Sequence, residues 1–451
     1  MMPPTFFPLL AGGSLVSEQV KVLFLALLFG GGVATSASAQ TPEQRVQTIV
    51  SSAPFRDAKT FLDSDHERFV KELITLTEIP APPFKEQKRG AAYLEMLRAA
   101  RLTDVETDAE GNVMGVRRGT GSAPMLAVLA HLDTVFPEGT NVTVKRNGTR
   151  VLAPGAGDDT GALALMLSVI RAMDAVKMQT PGDILFVGNV GEEGEGDLRG
   201  AKYLLQKGKY KDRIKNFISI DGGTQDGIVT GALGSHRYRV MFSGPGGHSY
   251  GAFGLVSPAF AMSNAMTKFS KLQVPATPRT TFNVGVVGGG TSVNSIPTEM
   301  HMLVDMRSES PEELKKIDEA FQRTVREAVD EENRARSTAE GRIVADVKLI
   351  GDRPSGATPT SAYLVQAAVA VARSFGFNPS FEIGSTDANV PISMGIPAIT
   401  IGRGLGGRSH ALDEWIDVTK EKNVQAGEVV LATILAASSG GDVRVSPALR
   451  H

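Results

Sequence analysis

Four clusters of acids and imidazole interrupt apolar stretches of this chain. Ala130-His131-Leu132-Asp133-Thr134 closes the apolar run 125–130, and Gly155-Ala156-Gly157-Asp158-Asp159-Thr160-Gly161 opens a helical segment rich in Ala, Leu and Met. Gly191-Glu192-Glu193-Gly194-Glu195 follows the run 184–190, and Ser219-Ile220-Asp221-Gly222-Gly223 ends the run 217–220. A strand ending in His-x-Asp directs both side chains to one side through its two-residue period. A carboxylate there can accept the second imidazole N–H and fix the tautomer of a metal-bound histidine. Glycines permit the tight turn before Asp158, and an acid is favoured at a helix start. Of two adjacent glutamates, one can ligate a metal while its neighbour takes a proton from metal-bound water.

Each cluster alone has a plainer meaning. Asp158-Asp159 reads as a helix cap with a first-turn acid, Glu192-Glu193 as a solvated turn, and Asp221-Gly222 as a turn. His131 is equally a ligand or a hydrogen-bonded core histidine. Four such clusters in order, at the ends of apolar segments, favour one shared site. In open α/β sheets ligands bind beyond the carboxyl ends of strands, so the clusters can converge.

The chain has 451 residues, 42% hydrophobic and 21% charged, enough for roughly two to three domains of about 150 residues. Cysteine is absent, which excludes disulfide scaffolds, Cys-ligated zinc, iron–sulfur clusters and thiol nucleophiles. A metal here must be held by His, Asp or Glu, a set suited to zinc, manganese or cobalt, and there are seven histidines to search. Lys+Arg 47 against Asp+Glu 49 is too balanced for a nucleic-acid-coating protein. Lys21, the apolar run 22–29 and Ala37-Ser38-Ala39 read as a secretory signal peptide cleaved after Ala39. The mature protein is therefore expected to be exported to the periplasm or medium, without a membrane span.

Elements must position these residues. Helical spacing is expected over 63–77 and 84–102, separated by Pro80, Pro82 and Pro83, and over 161–176. With short apolar strands at 125–130, 184–190 and 217–220, this predicts an α/β domain with a mixed, mostly parallel sheet flanked by helices. The texture changes near Gly234. Strands at 237–242, 281–287, 299–306 and 343–349, with helices at 257–272 and 311–333, give the order β-α-β-β-α-β of a ferredoxin-like α+β domain. The α/β texture then resumes with helices at 361–375 and 420–437 and strands near 381 and at 398–401. The predicted division is a signal at 1–39, a catalytic domain at 40–233 and 351–440 interrupted by an inserted lid domain at 234–350, and a tail at 441–451.

The series HLDTV, GAGDDTG, GEEGEGDLRG, SIDGG and RSHALDEW resembles that of the M20 co-catalytic metallopeptidases, over roughly residues 67–437. That family includes peptidase T, carnosinase-like dipeptidases, glutamate carboxypeptidase and aminoacylase-type deacylases. The resemblance implies a zinc-exopeptidase-like fold with two divalent ions, zinc with cobalt or manganese as alternatives. It implies that His131 and Asp221 hold one ion, Glu193 and His410 the other, and that Asp158 bridges both. Asp133 would orient His131, Glu192 would be the general base, and the Asp158–Asp159 peptide would be cis.

Gly246-Gly247-His248-Ser249, Asn294-Ser295-Ile296-Pro297 and Asp305-Met306-Arg307 resemble lid motifs, so His248, Asn294 and Arg307 are expected to bind substrate. In that family the histidine often comes from the partner of a homodimer formed through the lid. Taken alone, His248 reads equally as a structural histidine in a glycine turn, and Arg307 as a surface ion pair. Gly384-Ser385-Thr386-Asp387-Ala388 matches a loop lining the family's site. Thr160 stands where a Lys is common, and Asp221 where the deacylase branches carry Glu, which favours substrates with a free amino end. The expected activity is exopeptidase hydrolysis of a di- or tripeptide by a metal-bridging hydroxide. The alternatives are an N-acyl amino-acid deacylase using the same site and a non-catalytic peptide-binding protein.

Overall fold

The computed structural model describes residues 40–438; the signal expected over 1–39 and the tail over 441–451 lie outside the described residues. The chain enters through α1 (Pro42–Val50), α2 (Ala53–Thr77) and α3 (Gln87–Ala99), then β1 (Thr103–Thr107), β2 (Val113–Arg117) and β3 (Ala123–His131). It continues through α4 (Gly161–Ala175), β4 (Gly182–Asn189), α5 (Arg199–Gln206), β5 (Ile214–Ile220) and β6 (Gly227–Ala232). The long helix starts ten residues earlier than its periodicity suggests, because Ser52 caps it by accepting the Phe55 N–H and Pro54 occupies its first turn. The helix expected over 84–102 is confined to Gln87–Ala99, and β1 begins at Thr103.

After an intervening module the chain returns through α8 (Tyr363–Ser374), β11 (Ser380–Gly384), α9 (Asn389–Ser393), β12 (Ala398–Ile401) and α10 (Lys420–Ser438). The central sheet runs β1-β2-β4-β3-β5-β12-β6, with Gly356–Ala357 and β11 both paired to β6. Its inner strands β4, β3, β5 and β12 are mutually parallel, while β2 and β6 join antiparallel. The two-residue period explains the continuous apolar run of β3. Leu126, Val128 and Ala130 enter the core under α2, α4 and α10, and Met125, Ala127 and Leu129 enter the core under α5 and α9. Both faces are covered, so alternation disappears. Every residue of α4 from Gly161 to Met173 is buried, and the one charge among them, Arg171, is paired to Asp65 and Glu72. Among the described residues no helix is long and apolar enough to cross a membrane.

The module comprises β7 (Gly234–Ser243), α6 (Pro258–Phe269), β8 (Thr280–Gly289), β9 (Glu299–Ser308), α7 (Pro311–Ala335) and β10 (Val344–Arg353). Its antiparallel sheet, in the order β8-β9-β7-β10, is ferredoxin-like. Val240, Phe242, Met302, Val304 and Met306 face Leu314, Ile317 and Phe321 of α7. The alternate positions leave the other face polar: Arg237 lies opposite Asp305, and both Arg307 and Arg353 lie opposite Ser235. β10 runs past the expected end at 349 to Arg353, through a register shift between Leu349 and Gly351. A glycine in a strand interior commonly marks such a shift.

Candidate metal centre and active-site cleft

Three neighbouring parallel strands deliver three of the clusters. β3 ends on His131, β4 ends at Asn189 just before Gly191-Glu192-Glu193, and β5 ends at Ile220 before Asp221. The Asp158 cluster is different: it does not follow a strand of the central sheet. It occupies the bend into α4, with non-helical torsions at Asp158 and Asp159 and a cis peptide between them. Distant residues hold this bend. The buried Glu414 carboxylate accepts N–H bonds from Gly155 at 3.1 Å, Gly157 at 2.7 Å and Asp158 at 2.7 Å. Arg403 donates to the Gly157 carbonyl. Glu414 and the His410 loop are brought over the bend by a small sheet of Gly406–Gly407, Trp415–Asp417, Arg150–Leu152 and Lys145–Asn147.

Two groups of donors share Asp158, and a third, His131 with Glu192 and Glu193, overlaps both. His131 Nε2 lies 2.9 Å from Asp158 Oδ1 and 4.0 Å from Asp221 Oδ1. His410 Nε2 lies 2.9 Å from Glu193 Oε1 and 3.4 Å from Asp158 Oδ2. In each triple, His131/Asp158/Asp221 and Asp158/Glu193/His410, the donor atoms lie within 4.8 Å of one another. Asp158 offers one oxygen to each histidine, as a bridging carboxylate would.

His131 Nδ1 faces the backbone carbonyl of Asp133 at 3.1 Å and so carries the proton of the neutral ring. Its Nε2 lone pair then points at a carboxylate oxygen, and only a cation between them, a proton or a metal, makes that approach favourable. The residues therefore fit a pair of divalent ions in nitrogen and oxygen coordination. Asp133 orients the imidazole through its carbonyl; its carboxylate, 3.7 Å from Nδ1, instead accepts the Glu192 N–H at 3.0 Å and the Glu193 N–H at 2.8 Å.

Burial and the neighbouring Asp158 push Asp221 up to about 6, and hydrogen bonds to Asp158 and Glu193 push His410 up to about 10. The Glu192 carboxyl is raised well above the usual range by burial, opposed by Arg353 and reinforced by Glu193. Asp387 is buried beside the site, accepts Asn189 Nδ2 at 2.7 Å, and is pushed up to about 7 by burial.

Both groups open into a cleft of about 430 Å³, whose walls include Glu192, Ser385 and the module arginines Arg237, Arg307 and Arg353. One carboxylate, Asp305, holds two of them, accepting Arg237 Nε at 3.0 Å and Arg307 Nε at 2.7 Å. His248 and Asn294 do not line this cleft. They lie together on a two-strand pairing of Gly247–His248 with Ser295–Ile296, where Ser249 N–H donates to the Asn294 carbonyl. His248 Nδ1 accepts the N–H groups of Tyr250 and Gly251, leaving Nε2 outward.

Residues 127–437 match the peptidase family M20/M25/M40. The chain belongs to this family. A relative, the uncharacterized protein YqjE of Bacillus subtilis, is 25% identical over 399 residues, covering 83% of this chain and 99% of its own. The structure of aminopeptidase PepT from Bacillus cereus superimposes with a TM-score of 0.66 at 22% identity, covering 83% of this chain and 99% of that one. The Bacillus subtilis YXEP protein, described as a dinuclear metal-binding peptidase of the M20 family, gives 0.61 at 17% identity, with coverage of 83% and 99%. As an M20 protein this chain is a hydrolase of peptide or amide bonds, with a mostly parallel sheet flanked by helices.

The M20 motifs assign no role to Glu414, Arg403, Arg353 or Arg237. The only sequence signal was adjacency: Glu414 stands within RSHALDEW and Arg353 just after the last predicted module strand.

Proposed function

We propose that this M20 protein is an exported exopeptidase that hydrolyses the peptide bond of a di- or tripeptide, with Glu192 as general base. The observation that carries the reading is the position of Glu192: buried, at the cleft wall, in the same turn as Glu193, beside two donor groups that share Asp158. Two divalent cations, zinc in this reading with cobalt or manganese able to substitute, would lower the pKa of a water there and polarise the scissile carbonyl. Glu192 takes the water's proton and returns it to the leaving amine. Arg307, steadied by Asp305, binds the substrate carboxylate, and Arg237 supplies a second guanidinium beside it. His248 and Asn294 serve the cleft of a second copy, the module acting as lid and dimer contact. Export rests on the signal read over 1–39.

Replacing Glu192 by Gln in metal-loaded protein is expected to reduce kcat about 10²–10⁴-fold while both ions stay bound. Activity near that of the unsubstituted enzyme would overturn the assignment of the base.

A second reading, an N-acyl amino-acid deacylase, is favoured by the charges of the cleft. Asp158, Glu192, Glu193 and Asp221 are committed to the donor groups and the base, so among the described residues no other cleft-lining acid is free to pair with a substrate ammonium. Comparing one dipeptide with its N-acetylated form separates the readings. Equal turnover of both favours the deacylase.

A further inference from the structure

The turn that carries Glu192 is held from two directions. Its N–H groups, those of Glu192 and Glu193, are taken by the Asp133 carboxylate of the catalytic sheet. Its carbonyls are taken by the module: Arg353 donates to the Glu192 carbonyl, and Arg237 donates to the Gly194 carbonyl at 2.8 Å. Arg353 also reaches Glu192 Oε1 at 3.3 Å and Ser385 Oγ at 3.1 Å. It is only 4% exposed, and among the described residues no other side chain hydrogen-bonds the Glu192 carboxylate. One guanidinium thus grips both the backbone and the side chain of the same glutamate.

Its location makes this more than a local contact. Arg353 is the last residue of β10, where the chain leaves the module for the catalytic part. It shares the open face of the module sheet with Arg237, Asp305 and Arg307, the residues proposed above to meet the substrate carboxylate. The same rigid face therefore touches both the substrate-binding arginine and the catalytic turn.

We infer that Arg353 is a positioning residue for Glu192, orienting its carboxylate from the module so that the base is correctly aimed only when the module is seated on the catalytic sheet. The inference rests on the reading of Glu192 as the base. Oε1 is engaged by Arg353, which leaves Oε2 to meet the reacting water. Lysine at this position keeps the charge but not the fork that spans carbonyl, carboxylate and Ser385.

The test uses full-length, metal-loaded protein carrying Arg353→Ala, Arg353→Lys or Glu192→Gln. Misaiming a catalytic group, or removing an outer partner of a metal site, costs about 10–100-fold. Arg353→Ala is expected to lower kcat by that factor, with KM unchanged within about twofold and two ions still bound. Added guanidinium ion should restore part of the lost kcat, and Arg353→Lys should lie between the parent and Arg353→Ala. Unchanged kcat in both Arg353 variants, with Glu192→Gln inactive, overturns the inference and leaves the base assignment standing. Loss of bound metal in parallel with kcat in Arg353→Lys, or a change in KM alone, also overturns it, since Arg353 would then be structural or substrate-binding. An active Glu192→Gln removes the base assignment, and the inference with it.

Discussion

The two histidines of the candidate metal centre stand in opposite settings. His131 ends a buried strand, its side chain 1% exposed, with its second nitrogen held by a backbone carbonyl. His410 sits in a loop at φ 66°, its side chain 55% exposed, and the neighbouring Arg408–Asp413 ion pair is exposed as well. One half of the centre is therefore built by the core of the sheet. The other is built by a loop that a small four-stranded sheet must carry into place. A donor already ordered by the core loses little freedom on binding a cation, whereas a loop donor must be fixed first. Architecture, not residue type, separates the two positions.

The sharpest test of that contrast is folding stability without metal. Without a metal, burial would lower the His131 pKa, but Asp158, Asp159 and Asp133 together raise it well above its usual value, so the imidazole is tied to a buried cluster of acids. Removing one partner of a buried charge cluster is strongly destabilising. His131→Ala is therefore expected to cost about 3 kcal/mol in urea unfolding of metal-stripped protein. His410→Ala removes a side chain that is 55% exposed, although its partners Asp158 and Glu193 are only 13% and 9% exposed, and should cost less, about 1 kcal/mol. Equal costs would show that the loop is as much part of the core as the strand.

Metal titration should give the next largest difference. Stepwise binding to the metal-free enzyme is expected in two phases, the tighter one at His131, Asp158 and Asp221. His410→Ala should abolish the weaker phase and leave the tighter one, while His131→Ala should abolish the tighter. Glu414→Gln places an amide against the three N–H groups that the carboxylate now accepts, which loosens Asp158. Both phases should then weaken about 10–100-fold, because Asp158 faces both groups. A Glu414→Gln enzyme with normal affinities would mean that the bend into α4 holds its shape without that anchor.

The same contrast explains what the sequence could disclose. His131, Glu192, Glu193 and Asp221 were legible because polar residues directly follow apolar runs long enough to be recognised as strands. Asp158 was legible through its glycines and the helix it opens, although its bend follows no strand of the central sheet. Glu414, Arg403 and Arg353 were hidden because their partners lie far off in sequence: Arg403 bonds a carbonyl 246 positions away, and Arg353 a carboxylate 161 positions away. Beyond adjacency to a motif or a strand end, nothing local marks such a residue. The small sheet over the bend was hidden for a related reason. Its strands are two or three residues long, and one reads Lys145-Arg146-Asn147, without an apolar period to detect. The ferredoxin-like order of the module was legible because its strands and helices are long. The position of His248 and Asn294 away from the cleft was not, since motif spacing says nothing about which way a loop faces.

A third histidine supplies the smallest prediction and a control for the first two. His236 of the module also lies between carboxylates, with Nδ1 3.1 Å from Asp318 and Nε2 3.5 Å from Asp352. Tyr238 donates to the same Asp318 carboxylate, and Lys202 donates to the Asp352 carbonyl. Here each nitrogen faces its own acid, and both can be donors, so a proton alone satisfies the arrangement. Hydrogen bonds to Asp318 and Asp352 raise His236 from 6.5 to about 9. The folded state therefore binds this proton more tightly than the unfolded chain, and its stabilisation is complete below about pH 6.5 and lost as pH rises through about 9. Partial exposure limits the gain to about 1 kcal/mol. In urea unfolding, His236→Gln should thus be less stable than the parent at pH 6 and indistinguishable at pH 10, with or without zinc. A stability gap that instead grew with pH, or closed on chelation, would place His236 with His131 as a lone-pair donor to a cation.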